Sequence, residues 1–225
     1  MLNQTHTVTT IILAGGEGRR MDGKDKGLLL FKASKFDKEL PLIEHVIKRL
    51  IPQSAQILIS ANRNKAQYQD ILGRYQQNKQ IVFADKDDLK ALGPMAGMLS
   101  AVDYLDLNLD IDTDINVDID YVDNQHDFMR ERIQFVSCDA PFIPLDLIEK
   151  LYSKTAASYP VTLEKQHYCH TQLFKKDLTL IKARLEHKEL KIRSFLAFIK
   201  AQAVVFDDEA SFFNCNTKQE LYTTH

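Results

Sequence analysis

Short runs rich in isoleucine, valine and leucine alternate along this chain with segments of helical periodicity. Runs of this length are typical of buried strands. The short runs lie at residues 8–14, 56–60, 80–84, 132–137 and 201–206. Helical spacing of apolar residues occurs at Leu42, Val46, Ile47 and Leu50, and at Leu145, Ile148 and Leu151 after Pro144. The alternation predicts an α/β fold with a mainly parallel sheet covered by helices on both faces, and places functional residues after strands.

Size, charge and cysteine content narrow the class of protein. With 225 residues, of which 44% are hydrophobic, residues 1–225 are expected to form a single domain. The formal net charge of -2 gives no cationic surplus for nucleic acid or an anionic membrane. Apolar runs such as 11–14 and 28–31 are far shorter than the ~20 residues that span a bilayer. The start of the chain lacks a signal-peptide pattern and three cysteines do not suit a disulfide framework, so we expect a cytoplasmic protein.

Two polar stretches interrupt the pattern. Residues 32–40 are strongly charged and predict a surface loop. From Leu105 to Tyr121, even positions are Asp or Asn, which predicts an exposed acidic insertion at about residues 105–130. The alternative of a calcium loop is disfavoured, because the pattern lacks the Gly and the Glu that an EF-hand requires.

The most informative segment is the glycine-rich stretch at residues 13–28, which directly follows the first predicted strand. Closely spaced glycines let the backbone N–H groups approach an anion, and Gly15, Gly16 and Gly18 meet that need. Four cations follow and could neutralise a polyphosphate: Arg19, Arg20, Lys24 and Lys26. The alternative is a tight turn with a solvated basic loop.

Two common phosphate motifs do not fit this stretch. Residues 18–24 match the spacing of a P-loop, but Asp25 stands where Ser or Thr must bind magnesium. The dinucleotide fingerprint begins at Gly16, but Met21 occupies the place of its third small residue. Neither a P-loop NTPase nor a Rossmann dehydrogenase is expected.

The pattern that remains is LAGG-x-x-x-R-M-x-G-x-DKGL. It comprises Leu13, Ala14, Gly15, Gly16, Arg20, Met21, Gly23, Asp25, Lys26, Gly27 and Leu28. In this pattern the chain resembles the molybdenum cofactor guanylyltransferases, a group of nucleotidyltransferases. Sugar-phosphate nucleotidylyltransferases carry a proline-rich stretch ending in Pro-Lys where this chain has residues 25–27. Further matching segments follow in the same order: Asn62-Arg63, Asp85, residues 93–97, residues 137–142 and residues 213–217.

The resemblance implies a three-layer α/β/α fold with a Rossmann-like sheet of the nucleotide-diphospho-sugar transferase type. It also implies transfer of GMP from GTP to molybdenum-molybdopterin, with release of pyrophosphate and with Mg²⁺ as the cofactor. Asp139, at the end of a buried strand, is the expected metal ligand, because a hard carboxylate suits Mg²⁺. Lys26 and Arg20 are expected to stabilise charge on the phosphates, so the expected catalytic residues are Lys26, Arg20 and Asp139.

The expected binding residues fall into two sets. For GTP they are Leu13, Ala14, Gly15, Gly16, Lys26, Ser60, Asn62, Asp85 and Asp139, with Ser60 standing where other members have Asn. For the pterin substrate they are Gly93, Gly97, Lys191, Arg193, Asn214 and Asn216. We expect a monomer with GTP and molybdopterin as its substrates, in transient contact with other molybdenum cofactor proteins.

Three alternatives stay open. The first is a nucleotidyltransferase acting on another phosphate acceptor, such as a sugar phosphate. The second is a GTP-binding adaptor that does not turn over nucleotide. The third is a zinc site at His167-Tyr168-Cys169-His170, although no C-x-x-C motif accompanies it.

Overall fold

The computed structural model describes residues 8–15, 23–34, 36–75, 81–83, 93–105, 131–153, 155–187, 191–217 and 219–222. Residues 106–130, the greater part of the expected acidic insertion, lie outside this set, so the insertion stays a prediction. The single-domain organisation likewise stays a prediction.

The described strands and helices alternate as the sequence predicts. The strands are β1 (Thr9–Leu13), β2 (Leu30–Phe31), β3 (Leu40–Pro41), β4 (Gln56–Ser60), β5 (Ile81–Phe83), β6 (Arg132–Ser137), β7 (Ser158–Val161), β8 (Gln172–Phe174) and β9 (Gln202–Val205). The α-helices are α1 (Leu42–Leu50), α2 (Lys65–Gly73), α3 (Pro94–Tyr104), α4 (Leu147–Leu151), α5 (Lys175–Glu186) and α6 (Ile192–Phe198). Short 3₁₀ turns link them at Lys26–Leu28, Ile51–Gln53, Tyr168–His170, Glu209–Phe212 and Gln219–Tyr222.

Seven of the described strands form one mixed sheet. Their order is β5-β4-β1-β6-β8-β7-β9, and β2 pairs with β3 in a separate two-stranded sheet. The pairs among β5, β4, β1 and β6 are parallel, whereas β8 is antiparallel to both of its neighbours. The prediction of a mainly parallel sheet is confirmed for the half that carries the glycine-rich loop.

The sheet is covered by helices on both faces. Successive side chains of a strand point to opposite faces, so each face of β1 can be followed separately. From β1, Ile11 and Leu13 pack in a core with α3, α5 and α6. Ile12 and Ala14 pack in a second core with α1, α2 and α4. A central strand with buried residues on both faces therefore separates two helical layers, which is the three-layer α/β/α architecture expected from the resemblance.

Three local details differ from the expectations or add to them. The segment expected as a loop at residues 32–40 is flanked by the paired strands β2 and β3, and only its last residue, Leu40, belongs to a strand. Leu145 is 59% exposed and lies before α4, because that helix begins only at Leu147. The strands β7 and β8, which no periodic pattern had indicated, supply the antiparallel part of the sheet.

No helix among the described residues combines the length and the apolar character that crossing a membrane requires.

Candidate active site

Three parallel strands end side by side at one edge of the sheet. Leu13, the last residue of β1, is level with Ser60 in β4 and with Ser137 in β6. The pairing continues one residue further, since the Ala14 N–H donates to the Ser60 carbonyl at 2.8 Å. The residues after these strands therefore meet beyond the carboxyl edge, where ligands bind in sheets of this kind.

A cleft opens between that edge and the start of α3. It is lined by Leu13, Gly15, Gly93, Pro94, Gly97, Ser137 and Cys169. A Cβ added at Gly97 would lie 2.9 Å from Leu13 Cδ2 and 3.1 Å from Ser60 Oγ, so glycine lets α3 approach both strand ends. Gly93 has a φ of +66°, a left-handed conformation that glycine adopts without strain. The expected residues Leu13, Gly15, Gly93 and Gly97 thus line one cleft.

The Lys26 ammonium joins three segments that are remote in the sequence. Its Nζ lies 3.1 Å from Asp139 Oδ2 and donates to Asn216 Oδ1 at 2.8 Å. Lys26 lies in the 3₁₀ turn after the glycine-rich loop, Asp139 follows β6, and Asn216 belongs to the C-terminal segment. The structure therefore brings together one expected residue of each kind: cation, carboxylate and amide.

Asp139 is held by its neighbours as well as by Lys26. The residue is 6% exposed, and its Oδ1 accepts a hydrogen bond from the Ser137 hydroxyl. Its main-chain carbonyl accepts from the Cys215 N–H at 2.9 Å, which ties the C-terminal segment to the end of β6. Ser137 and Cys215 are supporting residues that sequence reasoning did not identify.

The C-terminal segment is braced by hydrogen bonds of its own. Glu220 Oε2 accepts from the N–H groups of Asn216 and Thr217, at 2.7 Å each. The Asn216 side-chain amide donates to the Asn214 carbonyl at 3.1 Å, and the Asn214 Oδ1 is buried with no hydrogen-bond donor among the described residues. Asn216 consequently presents its oxygen to Lys26 from a fixed backbone.

The donor set around Asp139 suits a hard divalent cation. A buried carboxylate is present, and the Lys26 ammonium shows that a cation is accepted next to Oδ2. Within the described ranges, no group of three or more His, Cys, Asp or Glu side chains could hold a metal ion. Magnesium is commonly bound by one or two carboxylates together with substrate phosphates and water, so a single aspartate is sufficient.

The HYCH sequence at residues 167–170 serves packing in this fold. The His167 ring stacks on Phe212 with centroids 4.4 Å apart, and its Nε2 lies 2.9 Å from Thr162 Oγ1. Burial lowers the pKa of His170 to about 4, while the nearby Asp139 carboxylate partly opposes that shift. Burial also raises the pKa of Cys169 to about 11, so this thiol is neutral near pH 7. Among the described residues, no group of three or more His, Cys, Asp or Glu side chains could hold a metal ion, so they give no support to the zinc alternative.

The remaining expected site residues lie in three places. Gly16, Arg20 and Asp85 are outside the described residues, and the predictions about them stay predictions. Asn62 follows β4, and its Oδ1 is buried without a hydrogen-bond donor among the described residues. Lys191 and Arg193 lie at the start of α6 with exposed side chains, and no hydrogen bond or ion pair joins either one to Lys26, Asp139 or Asn216.

Comparison with known proteins agrees with this geometry. A model of the MobA-like NTP transferase domain matches residues 10–204. A molybdenum cofactor guanylyltransferase from Burkholderia ambifaria (strain MC40-6) is 32% identical over 225 residues, which cover 96% of this chain and 94% of the relative. One from Haemophilus influenzae (strain Rd) is 33% identical over 230 residues, with 98% of both chains covered.

A solved structure extends the likeness to the fold. Molybdopterin-guanine dinucleotide biosynthesis protein A from Archaeoglobus fulgidus superposes with a TM-score of 0.59 at 20% identity, covering 95% of this chain and 94% of the other. At that identity the likeness concerns the fold alone. Together with the family match over most of the chain, the similarity shows that this chain belongs to the MobA-like NTP transferase family.

Proposed function

We propose that this protein transfers GMP from GTP to molybdenum-molybdopterin, forming molybdopterin guanine dinucleotide cofactor and pyrophosphate. The observation that carries the proposal is the contact of 3.1 Å between Lys26 Nζ and Asp139 Oδ2. It places a cation from the segment after the glycine-rich loop beside a carboxylate from the end of β6, which is hydrogen-bonded to the cleft residue Ser137. The DKGL motif and the names of the relatives favour guanylyl transfer to the pterin over other nucleotidyl transfers.

The chemistry asks for positioning and charge stabilisation rather than for a general base. The attacking group is the terminal phosphate of the pterin, which is already an anion near neutral pH, and it displaces pyrophosphate from the α-phosphorus of GTP. Lys26, and Arg20 with it, stabilise the negative charge that develops on the phosphate oxygens. The described thiols are unsuited to nucleophilic catalysis, since burial raises the pKa of Cys215 to about 12 and that of Cys138 well above its ordinary value.

Asp139 would hold Mg²⁺ through its carboxylate. When bound, the ion would neutralise phosphate charge and orient the triphosphate. Ser137 fixes the orientation of the carboxylate through Oδ1, which leaves Oδ2 facing Lys26. Oδ2 of Asp139 would be the oxygen available to the ion, and Lys26, which contacts that oxygen at 3.1 Å, would be close enough to stabilise the phosphates.

Binding of the two substrates is assigned to the two sides of the cleft. GTP is proposed to contact Leu13, Ala14, Gly15, Gly16, Lys26, Ser60, Asn62, Asp85 and Asp139. The pterin is proposed to contact Gly93, Gly97, Asn214 and Asn216, with Lys191 and Arg193 reaching its phosphate from the start of α6. We propose further that the protein is a cytoplasmic monomer that uses the GTP of that compartment.

Pyrophosphate release is the assay that tests the function. The protein is incubated with GTP, ATP, CTP or UTP, each with Mg²⁺ and with or without molybdenum-molybdopterin. We expect release from GTP alone among the nucleotides and only when the pterin is present. Release with a sugar phosphate but not with the pterin would assign the protein to another acceptor. Binding of GTP without any release would make it an adaptor.

A further inference from the structure

Asp25, the residue before Lys26, is anchored on the side of the loop that faces α2. Its side chain is 6% exposed, and the residue lies at the start of the 3₁₀ turn Lys26–Leu28. The Tyr68 hydroxyl donates to Oδ1, and the Asn64 amide donates to Oδ2 at 3.1 Å. Arg63 Nε lies 3.6 Å from the same Oδ2. A buried carboxylate with two hydrogen-bond donors and an arginine beside it is strongly restrained, because a buried charge that loses its partners is costly.

Arg63 also braces the loop at a second point. Its Nη1 donates to the Gly23 carbonyl at 2.7 Å, two residues before Asp25. Gly23 has a φ of +75°, so this carbonyl is presented by a left-handed turn. Arg63 directly follows Asn62, one of the expected nucleotide contacts. The segment after β4 is therefore linked mechanically to the segment that carries Lys26.

Tyr68 packs directly against the backbone of the same turn. The residue is completely buried, and a Cβ on Gly27 would lie only 2.6 Å from its hydroxyl oxygen. Burial raises the pKa of the Tyr68 phenol far above its ordinary value, with the nearby Cys138 and Asp25 adding to the shift. The phenol therefore stays protonated, and its O–H donates a hydrogen bond to the Asp25 carboxylate. Gly27 of the DKGL motif is therefore required, because any side chain at this position would collide with the Tyr68 hydroxyl.

Two neighbouring residues therefore tie the turn to different segments of the chain. Asp25 is bound to α2 and the residues before it, and Lys26 is bound to Asp139 and Asn216. Lysine has a long flexible side chain, so its ammonium is well placed only if the backbone that carries it is fixed.

We infer that Asp25, clamped by Tyr68, Asn64 and Arg63, is a positioning residue that sets the location of the Lys26 ammonium. This inference rests on the proposed function for its kinetic consequence, since the rate depends on where Lys26 lies. It assigns to Asp25 and Tyr68 a role without direct contact with either substrate.

The central test compares two tyrosine variants. Tyr68→Phe removes the donor to Asp25, and Tyr75→Phe is a matched control because Tyr75 donates to the buried Glu44 carboxylate in the same way. We expect Tyr68→Phe to lower kcat by about 10-fold to 100-fold, the range for a misplaced catalytic group, with KM for GTP changed less than ~2-fold. Tyr75→Phe should keep the wild-type kcat. Equal kcat values for the two variants would overturn the inference.

A second pair of variants covers the case in which Tyr68→Phe does not fold. Asn64 is exposed and has a φ of +53°, which glycine adopts readily, so Asn64→Gly removes one donor to Asp25 without backbone strain. We expect this variant to lower kcat by ~3-fold or more and to leave the KM for GTP in place. A kcat equal to that of the wild type would contradict the inference.

A double-mutant cycle tests the contact between the turn and the phenol. Gly27→Ala should lower kcat strongly in the wild type, since its Cβ would lie 2.6 Å from the Tyr68 hydroxyl oxygen, and less in Tyr68→Phe, where that oxygen is gone and only the ring carbons at 3.1 and 3.2 Å remain. Additive losses would show that the phenol does not act on the turn.

A readout without turnover separates this inference from the proposed function. In a crystal structure of Tyr68→Phe, the distance from Lys26 Nζ to Asp139 Oδ2 should exceed the 3.1 Å of the native protein and the contact with Asn216 should be lost. An unchanged distance would refute the positioning role. Absence of wild-type pyrophosphate release would refute the function and still leave this distance to decide the inference.

Discussion

Replacing Lys26 by methionine isolates the contribution of its charge. Methionine keeps an unbranched apolar stem and removes the ammonium that contacts Asp139 at 3.1 Å and Asn216 at 2.8 Å. The Lys26 side chain is 25% exposed and its partner carboxylate 9%, so the pair forms a site that is shielded but open to substrate. Loss of one dominant electrostatic donor typically lowers kcat by ~10²–10³, or about 2.7–4 kcal/mol of transition-state stabilisation.

The assay is pyrophosphate release from GTP in the presence of Mg²⁺ and molybdenum-molybdopterin. Lys38→Met is the control, because Lys38 is exposed and lies in the segment between β2 and β3. We expect the control to keep the wild-type rate and Lys26→Met to lose ~10²–10³ in kcat. A Lys26→Met variant within ~3-fold of the wild-type kcat would refute the reasoning, because a cation worth so little cannot be the stabilising group.

Three further predictions address metal binding, packing and pH. Asp139→Asn should lower kcat by ~10²–10³ and abolish the extra thermal stabilisation that Mg²⁺ gives to the GTP complex; a retained Mg²⁺ effect in thermal unfolding would contradict the assignment. Gly97→Ala should destabilise the fold by about 1–3 kcal/mol, because its Cβ would lie 2.9 Å from Leu13 Cδ2 and 3.1 Å from Ser60 Oγ; an unchanged unfolding midpoint would show that the helix shifts freely. Burial holds the pKa of His170 at about 4, below its unfolded value, so the stability it contributes is present above pH 6.5 and is lost as the pH falls towards 4. The free energy of unfolding, measured in urea, should therefore fall between pH 7 and pH 5, and the fall should be about 2 kcal/mol smaller in His170→Gln than in the wild type. Equal falls in the two proteins would exclude that contribution.

The parallel half of the sheet could be predicted from sequence because its strands are buried on both faces. Residues 56–60 and 132–137 were predicted and observed with the same bounds. The strands β7 and β8 could not be predicted in this way. They span only Ser158–Val161, which contains Pro160, and Gln172–Phe174. Segments this short do not develop a periodicity, so tertiary pairing with β6 and β9 decides their conformation.

The contacts of Lys26 with Asp139 and Asn216 could not be derived from spacing, because these two residues lie 113 and 190 positions after Lys26 in the sequence. The family motifs placed Lys26 and Asp139 in one catalytic site, whereas Asn216 was expected only among the pterin contacts and its hydrogen bond with Lys26 was not predicted. The chemistry of each residue type was readable, but the supporting role of Ser137 depends on a register that only the fold establishes.

The role of Asp25 was missed, although the sequence carries a signal for it. Tyr68 precedes Ile71 and Leu72 at helical spacing, so it lies on the buried face of α2. A buried tyrosine hydroxyl usually requires a hydrogen-bond partner, and no polar residue on that face supplies one. The partner had to come from another segment, which was the glycine-rich loop.

The most direct measurement of the central claim is a crystal structure of the protein with GTP and Mg²⁺. The account predicts a cation at about 2.0–2.1 Å from an Asp139 carboxylate oxygen, with the Lys26 ammonium moved from that carboxylate onto a phosphate oxygen. A cation more than ~6 Å from Asp139, with Lys26 still paired to the carboxylate, would contradict it, since that separation excludes direct ligation.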